Sequence, residues 1–348
     1  MDVTSSYYEY ESSSFYEYEN YSYEYENSSY DGHSGPCNVS GSLQFGKLFN
    51  SVFFSIVVIL SVFGNCLVIT ILIKYENLKS ITNALIFNLA ISDLLFTAGL
   101  PFWIYYYTNG TWTLGEYACK TLHFLFYVGY YSSSFLLILM TVHRFIAVVN
   151  PLSDIVSTKG VYCILAPVCV WLVGIAFAVP YITYTFINEE GFCGYWNDWG
   201  TYQQNALFIL TSLVFVFCYT QIFWTLLHPT GQRRMYKTLK VILTLMVVFF
   251  LSWAPYNVVI FLQKLPFGRK NCQIYETLEY AFNICRLGAF SHCFLDPVFY
   301  VFVGDKFKNH LMRFVKGLGH DSRRNSSVRS RQGRMTITSL TSGEEMSL

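Results

Sequence analysis

Seven apolar blocks, each long enough to cross a lipid bilayer, constrain this chain more than any other feature. They run over about 48–73, 81–107, 117–149, 161–185, 202–227, 237–263 and 276–303, read by apolar length and bounding charge. A helix rising about 1.5 Å per residue needs roughly 20 residues to span a hydrocarbon core of about 30 Å, and every block meets that length. A chain of 348 residues has room for two water-soluble domains, but 53% hydrophobic and only 13% charged residues speak against them. The expected fold class is an all-α membrane protein, a seven-transmembrane helix bundle.

An odd number of crossings puts the two ends of the chain on opposite membrane faces. Lys74, Lys79, Arg144, Lys159, the basic turn with Arg233, Arg234, Lys237 and Lys240, and nine Lys or Arg after residue 304 share one face. The excess of cations makes that face the cytoplasm. Lys264, Arg269 and Lys270 run against the rule, and the net charge of +1 hides the segregation. Residues 1–46, which hold no Lys or Arg, then form an extracellular, disordered acidic arm in which Tyr16, Tyr18, Tyr21, Tyr23 and Tyr25 alternate with glutamates. Asn20, Asn27 and Asn38 in this arm, and Asn109 in the polar turn after the second block, open glycosylation sequons usable on that face.

Residues 47–303 make up the membrane domain. Residues 304–316 carry apolar residues at helical spacing with cations between them, which suits a short amphipathic cytoplasmic helix lying on membrane lipid. Residues 317–348 read as a disordered Ser/Thr-rich cytoplasmic tail open to phosphorylation. No basic n-region precedes the first apolar block, so no cleavable signal peptide is expected and the first membrane helix does the targeting. The expected location is the plasma membrane, multi-pass, with the N-terminus extracellular.

The ten cysteines form no Cys-x-x-Cys pair, and no His-x-x-x-His partner accompanies them, which argues against zinc. Cys66, Cys163, Cys169, Cys218, Cys285 and Cys293 lie inside apolar blocks, where a thiol serves as a small hydrophobe. Cys37, Cys119, Cys193 and Cys272 lie in or beside polar segments and are disulfide candidates, with no pairing fixed by the residues themselves. No nucleophile, base and orienting partner can be assembled, so an enzyme is not expected. No internal repeat suggests a transporter, no lysine between Lys270 and Lys306 suggests a light receptor, and no nucleic-acid partner is expected. Asp93 and Asp296 need a reason, because a charge at mid-membrane costs roughly 2.5 to 3.5 kcal/mol on insertion scales. A polar contact between helices is one reason and a site is another.

The third block sets Cys119 at one membrane face and Arg144 at the other. An arginine in that place reads equally as an anchor snorkelling to the interface. Its neighbours favour a different role. His143-Arg144-Phe145, followed by Pro151, resembles the Asp-Arg-Tyr box and second-loop proline of rhodopsin-like receptors. Gly64-Asn65, Leu89 to Asp93, Trp171, Trp253-Ala254-Pro255 and Asp296-Pro297-x-x-Tyr300 resemble that family's helix signatures in order. Leu100-Pro101-Phe102-Trp103, Trp112-x-x-Gly115-x-x-x-Cys119-Lys120 and Ser291-His292-Cys293 are similar to the chemokine receptors. Lys74-Tyr75-Glu76-Asn77-Leu78 and Ile284-Cys285-Arg286 resemble those for XC-type, lymphotactin-like chemokines.

The resemblance implies a receptor that binds a small basic chemokine and signals through an inhibitory heterotrimeric G protein, in leukocyte chemotaxis and calcium mobilisation. Arrestin and receptor kinases would meet the tail. The resemblance pairs Cys119 with Cys193 and Cys37 with Cys272, and groups Asn65, Asp93, Ser133 and Asp296 as oxygen ligands of an allosteric sodium ion, with no other metal or cofactor. His143, Arg144, Tyr219, Trp253, Pro255 and Tyr300 become activation-switch residues. The ligand's amino terminus would enter among Trp103, Tyr127, Tyr256, Gln263, Glu279 and Arg286, while the arm tyrosines, resembling sulfation sites, would meet its basic core.

Four positions depart from the general chemokine-receptor pattern. His143 replaces the acid of the box, Arg286 stands where most relatives place a pocket glutamate, Gly99 replaces a threonine, and the fifth block lacks its proline. The altered box keeps open the alternative of a scavenging receptor that internalises chemokine without G-protein signalling.

Overall fold

The computed structural model describes residues 40–149, 161–188, 191, 193–195, 198–226, 236–265, 272–303 and 307–313. The acidic arm up to residue 39, with Tyr16, Tyr18, Tyr21, Tyr23, Tyr25, Asn20, Asn27, Cys37 and Asn38, lies outside these residues, as do the whole tail from residue 317 and the side chain of Tyr300.

Helices α1 (Ser40–Tyr75), α2 (Ile81–Ala98), α3 (Leu100–Asn109), α4 (Glu116–Val149) and α5 (Val161–Tyr184) lead into a two-stranded hairpin, β1 (Thr185–Ile187) and β2 (Cys193–Tyr195). Helices α6 (Trp199–Leu226), α7 (Tyr236–Lys264), α8 (Cys272–Phe290) and α9 (His292–Val303) follow. Among the described residues, six helical stretches, Phe45–Tyr75, Ile81–Asn109, Glu116–Val149, Tyr162–Tyr184, Trp199–Thr225 and Ile242–Lys264, are long and apolar enough to cross a membrane. The seventh crossing is divided between α8 and α9. Residues 307–313 form a further helical segment.

The helices close into a bundle because α8 and α9 pack back onto α1. α4 is its hub, touching α2, α5, α6 and α7 along its length and both hairpin strands at its start. Gly129 makes the α4–α2 contact close: a Cβ there would lie 2.6 Å from the Phe96 backbone nitrogen and 2.8 Å from the Ser92 carbonyl oxygen. Small residues at such crossings let helix backbones approach in lipid, where packing rather than water exclusion holds helices together. Trp171 on α5 adds a hydrogen bond across the bundle, its Nε1 donating to Asn88 Oδ1 on α2 at 2.9 Å. One apolar cluster from Phe54 and Leu85 through Leu136 to Trp253 and Cys293 fills the interior. Ile164 and Leu172 on α5, with Leu213, Val216 and Phe223 on α6, point outward, as a lipid-facing surface requires.

The elements differ from the sequence blocks where backbone chemistry overrides hydropathy. The first helix begins at Ser40, well before the apolar block, because Phe45 stacks on Phe49 and meets Tyr280 of α8. The second block is two helices divided at Gly99, since Pro101 has no N–H to continue the ladder. The seventh starts at the polar Cys272 turn and breaks at Ser291. The Ser291 N–H is shared there between the Leu287 and Gly288 carbonyl oxygens at 3.1 and 3.2 Å. Pro255, by contrast, sits inside a continuous α7. The hairpin, with strands of three residues each, has no counterpart in the sequence reading.

Candidate functional site

The hairpin end of the bundle is tied down by covalent and polar links. Cys119, in the first turn of α4, forms a disulfide with Cys193 at the start of β2. β1 and β2 pair antiparallel with Ile187 opposite Cys193, and the Trp112 N–H donates to the Gly191 carbonyl at 2.6 Å, tying the turn after α3 to the same hairpin. Gly110 ends α3 at φ 77°, a conformation glycine adopts without penalty. Burial, with Tyr184 adding a smaller push, raises the Tyr195 phenol to about 12, so this ring is a neutral stacking partner for Tyr181 at 4.6 Å. Cys272 is also disulfide-bonded. Asn109 is exposed, its amide donating to the Tyr105 carbonyl at 3.0 Å. Lys264, at odds with the cation rule, forms a short ion pair with Asp198 just before α6, which offsets much of the cost of a lone cation on that face.

Below the hairpin, the six residues expected to receive a ligand come from four elements. Gln263 of α7 donates to Glu279 Oε1 of α8 at 2.6 Å. Arg286, two turns further along α8, donates from Nη1 to the Tyr107 hydroxyl of α3 at 2.5 Å and from Nη2 to Asn283 Oδ1 at 3.0 Å. Asn283 Oδ1 also accepts from Asn50 Nδ2 of α1 at 3.0 Å. Trp103 packs edge-on to His123, Tyr127 stacks on Tyr181, and Tyr256 lies between Trp253 and Phe282. Asn50, Tyr107 and Asn283 were missed by sequence reasoning. An asparagine in each of two apolar helices was the available signal.

Along the axis, Asp93 of α2 is fully buried, its Oδ1 accepting from Ser133 Oγ of α4 at 3.1 Å. Asp296 of α9 lies beside it. Asn65 Nδ2 donates to the Cys293 carbonyl at 2.8 Å and the Ser61 carbonyl at 3.0 Å. Asp93 Oδ2 and Asn65 Oδ1 are buried without a hydrogen-bond partner. Unpaired carboxylate and amide oxygens facing a buried polar centre are a donor set suited to a hard cation such as sodium. His292 joins this centre with Nε2 3.9 Å from Asp93 Oδ1, a residue noticed in the sequence only as part of a family motif. Trp253 sits directly against this level, with Tyr130 at 4.5 Å and His292 at 5.2 Å between ring centroids.

At the opposite end, Arg144 Nη2 donates to the Thr82 hydroxyl of α2 through a short hydrogen bond. Among the described residues Arg144 forms no ion pair, and its Nε is buried without a partner. His143 is half-buried beside it. Tyr219 of α6 is close enough for its buried, unpartnered hydroxyl to sense the guanidinium charge. Thr82 was not expected, because nothing in a threonine 62 positions away announces a partner for Arg144. Residues 307–313 dock beside this end: His310 Nε2 lies 3.0 Å from Glu76 Oε1, and its ring stacks on Tyr75.

The chain matches the 7 transmembrane receptor (rhodopsin family) over residues 64–300. It belongs to the rhodopsin family of seven-transmembrane receptors. Chemokine XC receptor 1 of Homo sapiens is 40% identical over 294 residues, covering 82% of this chain and 87% of that protein. Chemokine XC receptor 1 of Mus musculus is 38% identical over 300 residues, covering 84% and 90%. Within the rhodopsin family the chain therefore falls among the chemokine receptors, and it is a multi-pass membrane receptor rather than an enzyme.

Proposed function

We propose that this receptor binds an XC-type chemokine at its hairpin end and activates an inhibitory heterotrimeric G protein at its Arg144 end. The observation that carries the reading is the 38–40% identity to the two XC receptors, which extends across more than four fifths of the chain. In this reading the hairpin end is extracellular. The acidic arm attracts a basic chemokine core by charge, strengthened where its tyrosines are sulfated, and raises the encounter rate. The chemokine's amino terminus then enters among Trp103, Tyr127, Tyr256, Gln263, Glu279 and Arg286.

The work done is conformational selection: a ligand that prefers one arrangement of the bundle raises its population. Movement of Trp253 and of the Pro255 region of α7 opens the Arg144 end, where Arg144, Tyr219 and Tyr300 meet the G protein, and the phosphorylated tail recruits arrestin. Asn65, Asp93, Ser133 and Asp296 would hold a sodium ion that neutralises the buried acids and favours the resting state. His143 is the observation that favours the second reading, a scavenging receptor, since it withholds the usual acid from Arg144. The test is G-protein activation and ligand uptake in cells expressing the full chain, challenged with a chemokine panel. Activation by an XC-type chemokine is expected. Avid uptake with calcium and cyclic-AMP silence would replace this reading with the scavenger.

A further inference from the structure

Among the described residues, no acid pairs with the Arg286 guanidinium. Its two acceptors, the Tyr107 hydroxyl and Asn283 Oδ1, are both neutral, and the second is already shared with Asn50. Its Nε is buried with no hydrogen-bond partner. Three rings surround the guanidinium carbon, Phe282 at 5.0 Å, Tyr107 at 5.1 Å and Phe54 at 5.8 Å. Glu279, on the same helix, accepts from Gln263 and forms no ion pair with Arg286. Ring faces and neutral acceptors hold the half-buried guanidinium in place, yet they supply no opposite charge. A planar fork whose Nη1 and Nη2 each donate once and keep a second N–H, lined by aromatic rings, suits a carboxylate carried beside an apolar or aromatic group.

We infer that Arg286 is an anion-binding subsite of the ligand cup and receives a carboxylate from the ligand. The inference rests on reading that cup as the ligand site. It assigns opposite preferences to two neighbouring levels of one cup: Glu279 favours a cation near the hairpin, and Arg286 selects an anion one level deeper. Asn283 is a positioning residue, holding the guanidinium between α1 and α8. Either an acidic side chain in the chemokine's entering segment or a free small-molecule carboxylate would satisfy the subsite.

The direct test measures thermal unfolding of the purified full-length receptor with benzoate, and with benzamide as its neutral isostere. Benzoate is expected to stabilise the wild-type protein and benzamide to leave it unchanged. R286Q should weaken the benzoate response about tenfold or more, the loss expected for one charge-assisted contact. R286K, which keeps the charge, should retain part of the response, and R286E should respond to benzylamine instead. The inference is overturned if benzoate stabilises wild type and R286Q alike, or stabilises neither. A second arm takes the chemokine that activates the wild-type receptor and replaces the acids of its amino-terminal segment with amides. Loss of potency on wild type but not on R286Q makes the chemokine the source of the carboxylate. Equal losses on both, with benzoate binding intact, make the source a free small molecule. Because the benzoate arm needs no chemokine, binding without any chemokine response would reject the proposed function and keep the subsite. A chemokine response without benzoate binding would do the reverse.

Discussion

Thr82→Val is the sharpest perturbation of the signalling end. It removes the hydroxyl that accepts from Arg144 and keeps the side-chain shape. Among the described residues Arg144 has no carboxylate partner, so this single contact is what directs its guanidinium toward α2. Tyr219, with an unpartnered hydroxyl on α6, offers an alternative acceptor on the other side. A hydrogen bond to a charged donor contributes about 1.5 to 3 kcal/mol when buried. Because this site opens toward the membrane surface, we take about 1.5 kcal/mol, which multiplies the ratio of active to resting receptor by roughly tenfold. The assay is ligand-free G-protein activation at matched surface expression, expected to rise several-fold in T82V. H143D, which supplies an acid beside Arg144, should lower that basal signal, and in the T82V/H143D double variant much of the increase should disappear. A T82V receptor with wild-type basal signalling would refute the assignment of Thr82 as the clamp.

Three further outcomes follow from the geometry. Gly129→Val drives a side chain into the Phe96 and Ser92 backbones and should cost about 1 to 3 kcal/mol, read as a lower thermal midpoint; Gly288→Ala, with only one atom near at 4.0 Å, should leave that midpoint unchanged or higher. Cys193→Ser opens a cross-link between positions 74 residues apart, an effect of roughly 4 kcal/mol by loop-closure entropy, so the variant should unfold at lower temperature and lose part of the wild type's sensitivity to reductant, the part owed to the Cys272 disulfide remaining. Asp93→Asn removes the charge that would attract sodium; replacing sodium by N-methylglucamine should lower the melting temperature of the wild type and leave that of D93N unmoved.

The crossings could be read from the sequence because bilayer thickness sets a length that apolar runs must meet, and six of the seven spans show it directly. The residues at the helix ends were less legible. Ser40 to Gly46 is mostly polar or small yet helical, and its Phe45 meets Tyr280 of α8. Arg286 was visible as an oddity of charge, whereas Tyr107, 179 positions earlier, and Asn283 became its partners only once the helices were packed. The same holds for Thr82 with Arg144 and His292 with Asp93. Hydropathy marks which residues face lipid, but it carries no information about which polar groups face one another across the bundle.

The division of the last crossing at Ser291 has a mechanical meaning. Arg286 belongs to the segment on one side of it, and His292 and Asp296 to the segment on the other. The Ser291 N–H already straddles two carbonyls, and Ser291 Oγ donates to the Gly288 carbonyl at 2.6 Å, so a small bend exchanges acceptors without stranding any. The break would let the crossing bend as two levers instead of moving as one rod. A ligand pulling on Arg286 would then spend that pull as an angle at Ser291, beside His292 and its neighbour Trp253, and need not drag the far segment along the bilayer normal.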